Sequence, residues 1–453
     1  MLYSKELKEY GSYDVLVCGG GYTGFAAAYA AAREGRRVLL LEGGSCLGGT
    51  GTAGLVTHIL GQRHVDGDVL RDNACGIFHL LEERLLAQGA AVDARTINYS
   101  LHPHGWRPFL GAGLPYDGEA MKVLLETMLR EVSAEILYYT DIVDVIKEGC
   151  TVKGVVIHNK DGLQAVYGTC VIDATGDGDI CTAAGCAYQL GDEEGGMAAA
   201  SLEMQVENVD DEALMDYMRQ TNDTRFRAII DDLIAKGIWK FPYSIFISVL
   251  LTKKSVYMIN TIRQVGINGV DARSLSDGTI DGRAESYALL DIMRKYFPGF
   301  AHAEIRQFAQ KIGIRETRRI EGDYILTVQD LIDSTVFSDS IAVSSYGWDL
   351  PHPKNPTHQP RHGVSRRTTY THIPYRCLLP KGVSGLMMAG RCISVEREAL
   401  GPVRVMGVCL GMGEAAGIAA SMAADAKGDF RQVDVAVLKK KLEAYGGITE
   451  IPD

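Results

Sequence analysis

Tyr13-Asp14-Val15-Leu16-Val17-Cys18-Gly19-Gly20-Gly21-Tyr22-Thr23-Gly24 begins the stretch that decides the fold, and Val38-Leu39-Leu40-Leu41-Glu42 closes it. The apolar run up to Cys18 predicts a buried parallel strand. Gly19, Gly21 and Gly24 follow at G-x-G-x-x-G spacing. Ala26, Ala27, Ala28, Ala30, Ala31 and Ala32 then predict a helix, which Gly35 ends. Val38 to Leu41 reads as the next strand, with Glu42 at its carboxyl end. Each part has a task in holding a dinucleotide. Gly19 permits a tight turn, Gly21 lets backbone approach a pyrophosphate, and Gly24 lets the helix pack closely on the sheet. Helix N–H groups face the anion, and the Glu42 carboxylate can accept from both ribose hydroxyls.

Context separates this match from two others. The spacing recurs at Gly49-Thr50-Gly51-Thr52-Ala53-Gly54, and its alanine-ended form recurs at Gly411-Met412-Gly413-Glu414-Ala415-Ala416. Neither follows a strand and opens a helix that leads to a strand and an acid.

A length of 453 residues exceeds one compact core and predicts two domains. Hydrophobic content of 46% with 23% charged residues is that of a globular protein in water. The net charge of −11 argues against nucleic acid or an anionic membrane as partner. Lys439-Lys440-Lys441 and Arg366-Arg367 read as solvated faces. The first nine residues contain no apolar signal core, and no stretch reads as a membrane span, so a cytoplasmic location is expected. The ten cysteines form no C-x-x-C pair and predict reduced core thiols, with no zinc or iron–sulfur spacing and no metal site.

Further along, Gly43 to Gly54 is a glycine-rich loop placed where a cofactor would extend from its adenosine half. Helices are expected over 68–88 and 117–132. Strands are expected over 135–139, 141–146, 152–158 and 164–172, the last ending in Asp173-Ala174-Thr175-Gly176-Asp177-Gly178-Asp179. From about Gly191 to His372 the texture changes to charged helical segments over 211–236, strand-like runs over 243–251 and 255–260, and a helix over 282–296. A loop rich in proline and histidine covers 351–362. Small-residue character returns with Ala389-Gly390-Arg391 and a final helix from about Val403 to Ala423.

Together these blocks resemble the FAD-dependent oxidoreductases of the glutathione-reductase-like fold, on the fumarate-reductase side. Among these, the chain is similar to the large bacterial family known by that general description. The resemblance rests on the opening unit, Gly48-Gly49-Thr50, the Ala174-Thr175-Gly176 strand end, Ile312 to Tyr324, and the return from Ile373 through Ala389-Gly390-Arg391 to Met406. It implies an α/β fold: a Rossmann-like FAD-binding domain with a parallel sheet, formed by 1–190 and 373–453, and an inserted α+β substrate domain over 191–372. It also implies that Gly19, Gly21, Tyr22, Thr23 and Gly24 hold the pyrophosphate and Glu42 the ribose. Gly49 and Thr50 would lie near the ribityl–flavin end, and Ile142 or Val143 would reach the adenine through backbone groups. Ala174, Thr175 and Gly176 would pack on the adenosine half with Asp179 nearby, and Gly390 and Arg391 would approach the ribityl phosphate region. Arg404, Val405 and Met406 would bring a helix amino terminus to the flavin N1/C2 carbonyl, where reduced flavin carries negative charge. A histidyl–FAD link is not expected, because Gly49-Thr50-Gly51-Thr52 stands where covalent relatives have His-Thr. Cys46 and His58 remain as alternative attachment points.

A flavin exchanges hydride at N5, so the protein must position substrate and move a proton. His352 is the first candidate for that role, with His358 beside it and Arg361 and His362 closing the same loop. Arg315, Arg318 and Arg319 could clamp a carboxylate or oxyanion, or form a structural salt-bridge cluster with Glu316 and Glu321. Tyr375 and Arg376 could brace the return into the first domain. The leading expectation is hydride transfer between flavin and a small organic substrate, as dehydrogenase or reductase. A flavoprotein monooxygenase is the alternative, although Ala389-Gly390-Arg391 stands where that class carries Gly-Asp. A flavin-containing RNA-modification protein is a third reading, weakened by the acidic balance. No second dinucleotide unit is present for a nicotinamide. Electrons would come from the substrate, from transient nicotinamide docking or from an electron-transfer partner.

Overall fold

The computed structural model describes residues 4, 6–66, 69–73, 76–93, 113–358 and 370–451. At its centre lies the strand Lys8–Cys18, paired in parallel with Val38–Leu41 on one side and Gly162–Asp173 on the other. Glu135–Leu137 extends the sheet beyond Val38–Leu41, and Leu386–Met388 pairs with the far end of Gly162–Asp173, both in parallel. Asp141–Glu148 and Thr151–Asn159 add an antiparallel margin, for seven strands in all. The unbroken apolar run of the first strand is explained by burial on both faces. Val15 and Val17 pack with Phe25, Ala26 and Leu40, whereas Leu16 and Cys18 face Leu39, Leu41 and Val171.

The helix Tyr22–Arg33 follows the glycine turn as expected and lies against the final long helix, Met406–Asp425. The contact needs glycine. A Cβ at Gly413 would sit 2.3 Å from the Thr23 carbonyl oxygen, and one at Gly417 would sit 2.2 Å from that of Ala27. The glycine spacing at 411–416 is thus a helix-packing seam. Met406–Asp425 also corrects an expectation, since by length and composition it is apolar enough to cross a membrane. Nearly all of it is buried inside the first core, where its apolarity serves helix packing.

The expected helix over 68–88 is shorter, Gly76–Ala87, and Val69–Asp72 instead pairs antiparallel with Arg63–Asp66. Helical periodicity begins only at Ile77 and Phe78, while Asp66-Gly67 is a dipeptide that favours a hairpin.

A separate core belongs to the inserted region. Its antiparallel sheet runs Ser248–Leu250, Tyr257–Ile259, Met204–Glu207, Glu304–Phe308. Helices Asp211–Thr221, Arg227–Ala235 and Ala272–Tyr296 cover one face, around Phe226, Phe246, Phe297 and Phe300. The last helix starts ten residues before the expected 282, because Gly278 and Gly282 lie inside it. Their small size admits Ile267 and Leu202, a packing gain that outweighs the poor helix propensity of glycine. Leu326, Phe337, Ile341, Trp348 and Leu350 join the first core instead. The stretch 191–372 is therefore divided between two cores.

Candidate active site

A cleft of about 1970 Å³ runs between the carboxyl ends of the parallel strands and the inserted sheet. This is roughly twice the ~1,000 Å³ upper range of ordinary small-molecule pockets. Gly19 to Thr23, Glu42, Gly48 to Thr50, Ala174 to Asp177, Arg391 and Arg404 to Met406 line its first side.

The glycine turn has the predicted division of labour. Gly19 has φ +103°, open only to glycine. A Cβ on Gly24 would fall 1.8 Å from the Gly19 carbonyl oxygen, so this glycine serves close helix–strand packing. At Gly21 a Cβ would meet nothing within 4 Å, and the backbone there lies bare to the cleft. The helix that follows has no side-chain cap and no acid in its first turn, which leaves its N–H groups for an anion.

Glu42 is buried at the strand end and accepts from Gly20 N at 2.8 Å and Gly44 N at 2.7 Å. Lys311, from beyond the inserted sheet, reaches the same carboxylate at 3.1 Å. The Gly48 loop is pinned on the glycine turn by Gly48 N donating to Gly20 O at 2.8 Å. Tyr22 donates to Tyr116, whose hydroxyl donates to Gly51 O at 2.7 Å, so these phenols brace the loop.

Behind Ala174 to Gly176, Asp173 is fully buried and accepts from Thr175 Oγ1 at 2.7 Å and Cys181 N at 2.9 Å. Burial raises its pKa, and those hydrogen bonds oppose the rise. Asp177, which sequence reasoning left unassigned, accepts from Arg391 at 2.8 Å and Thr317 at 2.6 Å. Arg391 therefore lines the cleft with its charge already matched. Gly390 has φ +90° and packs on Thr23, and the final helix opens on the cleft with no side-chain cap.

Several expectations need correction. Asp179 does not line the cleft; its carboxylate pairs with Arg318 at 2.7 Å. Val143 sits at a bulge in Asp141–Glu148 with a half-exposed side chain, away from the cleft lining, and neither it nor Ile142 is brought there. His352 is exposed, its Nδ1 accepts from Lys354 N at 3.2 Å, and it lies outside the cleft with His358 exposed beside it. The wall there is formed by Trp348, Asp349, Pro351 and Thr357 instead. Arg361 and His362 fall outside the described residues. Arg319 pairs with buried Glu316 at 2.9 Å and Arg397 joins the same acid at 2.8 Å, so that part of the arginine run is structural. Tyr375 donates to Phe430 O and Arg376 pairs with Asp339, both bracing the chain return. Cys46 is buried off the cleft beside Thr52, whereas His58 is buried in the lining. Among the described residues no cluster of metal-ligating side chains exists.

Arg315 does reach the cleft. It donates to Ala199 O at 2.7 Å, and its pKa falls to about 9 through burial and the nearby charges of Arg263 and Arg404. Arg263 is buried, donates to Ser201 Oγ at 2.7 Å and to Asn260 Oδ1, and lies over the Tyr243 ring at 4.7 Å. Asp349 pairs with Arg404 at 3.3 Å and accepts from Tyr346 at 3.0 Å. Burial would raise the Asp349 pKa, but Arg404 and Arg315 outweigh it and hold the carboxyl low.

Sequence reasoning missed Glu203. Its side chain is 1% exposed, lines the cleft, and its Oε2 has no hydrogen-bond partner. Burial raises its pKa to about 7, against the opposing pull of Arg263 and Arg315. A signal existed in the alternation of Ser201-Leu202-Glu203-Met204-Gln205-Val206. Met204 and Val206 face the inserted core, so Ser201 and Glu203 face the cleft with Met258 and Asn260 of the neighbouring strand.

A family model described as "FAD dependent oxidoreductase" matches residues 14–442. The chain belongs to the FAD-dependent oxidoreductase family. FAD is its cofactor, and the open Gly21 backbone, the uncapped helix and the buried Glu42 carboxylate fit that dinucleotide. Among solved structures, this oxidoreductase is similar to a geranylgeranyl bacteriochlorophyll reductase-like protein from Thermoplasma acidophilum. The identity is 15%, the TM-score 0.47, and the match covers 96% of this chain and 91% of the other. It is also similar to a flavin-dependent brominase, at 14% identity and TM-score 0.49, covering 95% and 83%. A third likeness is to a p-nitrophenol 4-monooxygenase from Pseudomonas putida, at 13% and 0.45, covering 96% and 83%. At such similarity none of them bears on the reaction. A short match, 42% identical over 62 residues, joins the chain to a Dictyostelium discoideum protein provisionally described as a bifunctional amine oxidase. It covers 14% of this chain and 6% of that one.

Proposed function

We propose that this FAD-dependent oxidoreductase moves a hydride between FAD and a small organic substrate resting on the inserted sheet, and that Glu203 exchanges the accompanying proton. The observation that carries the reading is the buried Glu203 carboxyl, whose Oε2 has no hydrogen-bond partner, in the cleft wall opposite the dinucleotide-binding elements. The same reading keeps the chain on the fumarate-reductase side of the glutathione-reductase-like fold, supported by the Ala-Thr-Gly strand end and Arg391 lining one cleft.

When bound, FAD supplies a two-electron hydride donor or acceptor. The chain supplies the rest. Gly21 and the N–H groups of the first helix would hold the pyrophosphate, while Glu42 would exchange Lys311 for ribose hydroxyls. The N-terminus of the last helix, at Arg404 to Met406, would oppose negative charge on the reduced ring with its dipole. Glu203, with a pKa of about 7, can give or take a proton near neutral pH without a large energetic penalty in either direction. Glu203 and Arg263 are themselves buried, which strengthens the charge interaction between them.

The test begins with anaerobic photoreduction of the FAD-loaded protein, then a screen of oxidised candidates for flavin reoxidation and of reduced candidates for bleaching. With a substrate in hand, kcat/KM should follow a group near pH 7, and Glu203→Gln should remove that dependence and lower kcat by about 10²–10⁴-fold. A protein that turns substrate over only with dioxygen, placing oxygen in the product, would establish the monooxygenase reading instead. Failure to bind FAD would sink both.

A further inference from the structure

Cationic side chains outnumber acids along the cleft, where Arg225 and Arg227 also line the wall, and the excess includes a pair at the inserted sheet. Glu42 has Lys311, Asp177 has Arg391, and Asp349 has Arg404. Arg263 and Arg315, in contrast, donate to neutral acceptors: Ser201 Oγ, Asn260 Oδ1, Ile262 O and Ala199 O. Arg263 Nε is buried with no hydrogen-bond partner, as is Oε2 of Glu203. Both side chains are more than nine-tenths buried and line the cleft. Two guanidinium groups brought near each other, Arg263 buried and Arg315 half-buried, are costly unless an anion joins them. The charge of Arg263 already depresses the pKa of Arg315. Tyr243 beneath Arg263 offers a ring face, and Met258 and Ile247 supply an apolar floor.

We propose that the substrate is a small carboxylate whose oxygens are held by Arg263 and Arg315, and that its arrival drives a proton onto Glu203. This rests on the hydride-transfer reading and gives its substrate a chemical class. The coupling follows from charge. While the site is empty, Arg263 and Arg315 are the cations that favour the ionised form of Glu203. The incoming anion then shares the two arginines that oppose the Glu203 pKa rise, and the rise increases. Protonation also converts Glu203 into a donor facing the substrate. Asp349 and Arg404 also face this cluster, with the Asp349 charge felt by Arg404, Arg315 and Arg263 alike, and Arg225 and Arg227 line the same cleft.

The test uses FAD-loaded protein titrated with sodium benzoate, with benzamide as the uncharged isostere and inorganic phosphate as a competing oxyanion. Binding is followed by flavin difference spectra and by calorimetry in two buffers of different ionisation enthalpy. Benzoate should bind with uptake of up to one proton, and its affinity should fall by up to about tenfold per pH unit above pH 7. Glu203→Gln, with its flavin spectrum intact, should bind benzoate at pH 7–8 without proton uptake and without that slope, below the pH at which Arg315 begins to lose its own charge. Arg263→Lys should weaken benzoate by about tenfold or more while sparing FAD. Benzamide binding as tightly as benzoate, phosphate competing equally well, or a benzoate affinity unchanged between pH 7 and 9 would each overturn the proposal. Turnover of uncharged substrates alone would also defeat it while leaving hydride transfer intact. Carboxylate binding without any redox turnover would defeat the hydride-transfer reading instead.

Discussion

Replacing Glu203 by glutamine should change how stability depends on pH, by an amount that follows from its burial. The carboxyl sits 1% exposed, and its pKa is raised from 4.5 to about 7. A folded-state pKa above the unfolded one means that the folded protein holds this proton more tightly. The resulting stabilisation is complete below pH 4.5 and is lost as pH rises through about 7. At ~1.4 kcal/mol per unit the whole effect is ~3 kcal/mol, most of it between pH 5 and 8. Glutamine keeps the shape and removes the titration. The variant should therefore gain ~3 kcal/mol on the native protein between acid and alkaline pH. If the chain unfolds as a unit, that is ~3 °C in Tm, read from thermal scans at one fixed rate, since a chain of this size can unfold irreversibly. A Tm difference between the two proteins that is the same at pH 5.5 and pH 8.5 would refute the reasoning. Glu203 would then not be a buried acid that titrates near neutrality, and its proposed proton-exchanging role would fail with it.

Two glycines three residues apart should respond oppositely. Gly21→Ala should leave the fold as stable as before, because its Cβ meets nothing within 4 Å, yet weaken FAD binding in a fluorescence titration. Gly24→Ala should cost ~3 kcal/mol or more in chemical denaturation, because its Cβ meets the Gly19 carbonyl at 1.8 Å. Glu316→Ala should cost ~3–5 kcal/mol in the same assay, as it strands Arg319 and Arg397 and the Ala198 amide donor, which lies 2.8 Å from the carboxylate. His352→Ala should leave flavin spectrum and turnover unchanged, since that ring is exposed outside the cleft.

The strand–turn–helix geometry that lines the first side of the cleft was legible because its requirements are local. A strand that ends in glycine, an uncapped helix start and an acid at the next strand end lie within 30 residues, and each reads from its own neighbours. Asp177 and Asp179 show where such reading stops. Both follow the Ala-Thr-Gly strand end, and only the packing of Arg391 and Arg318 assigns the first to the cleft and the second to a surface pair. His352 shows the same limit from the other side. Its residue type suits proton transfer, but the chain turns it outward.

What the sequence by itself determined is the Rossmann-like unit, the parallel sheet and the glycine turn that lines the cleft, all written in contiguous patterns of apolar runs and glycine. What only the tertiary structure decided is the cleft wall made by the inserted sheet. Glu203, Arg263 and Arg315 come from three separated segments and meet because antiparallel pairing sets Met204 opposite Ile259, which brings Glu203 beside Asn260. A carboxyl group becomes an acid of neutral pKa through what surrounds it, and those surroundings exist only once the chain has folded.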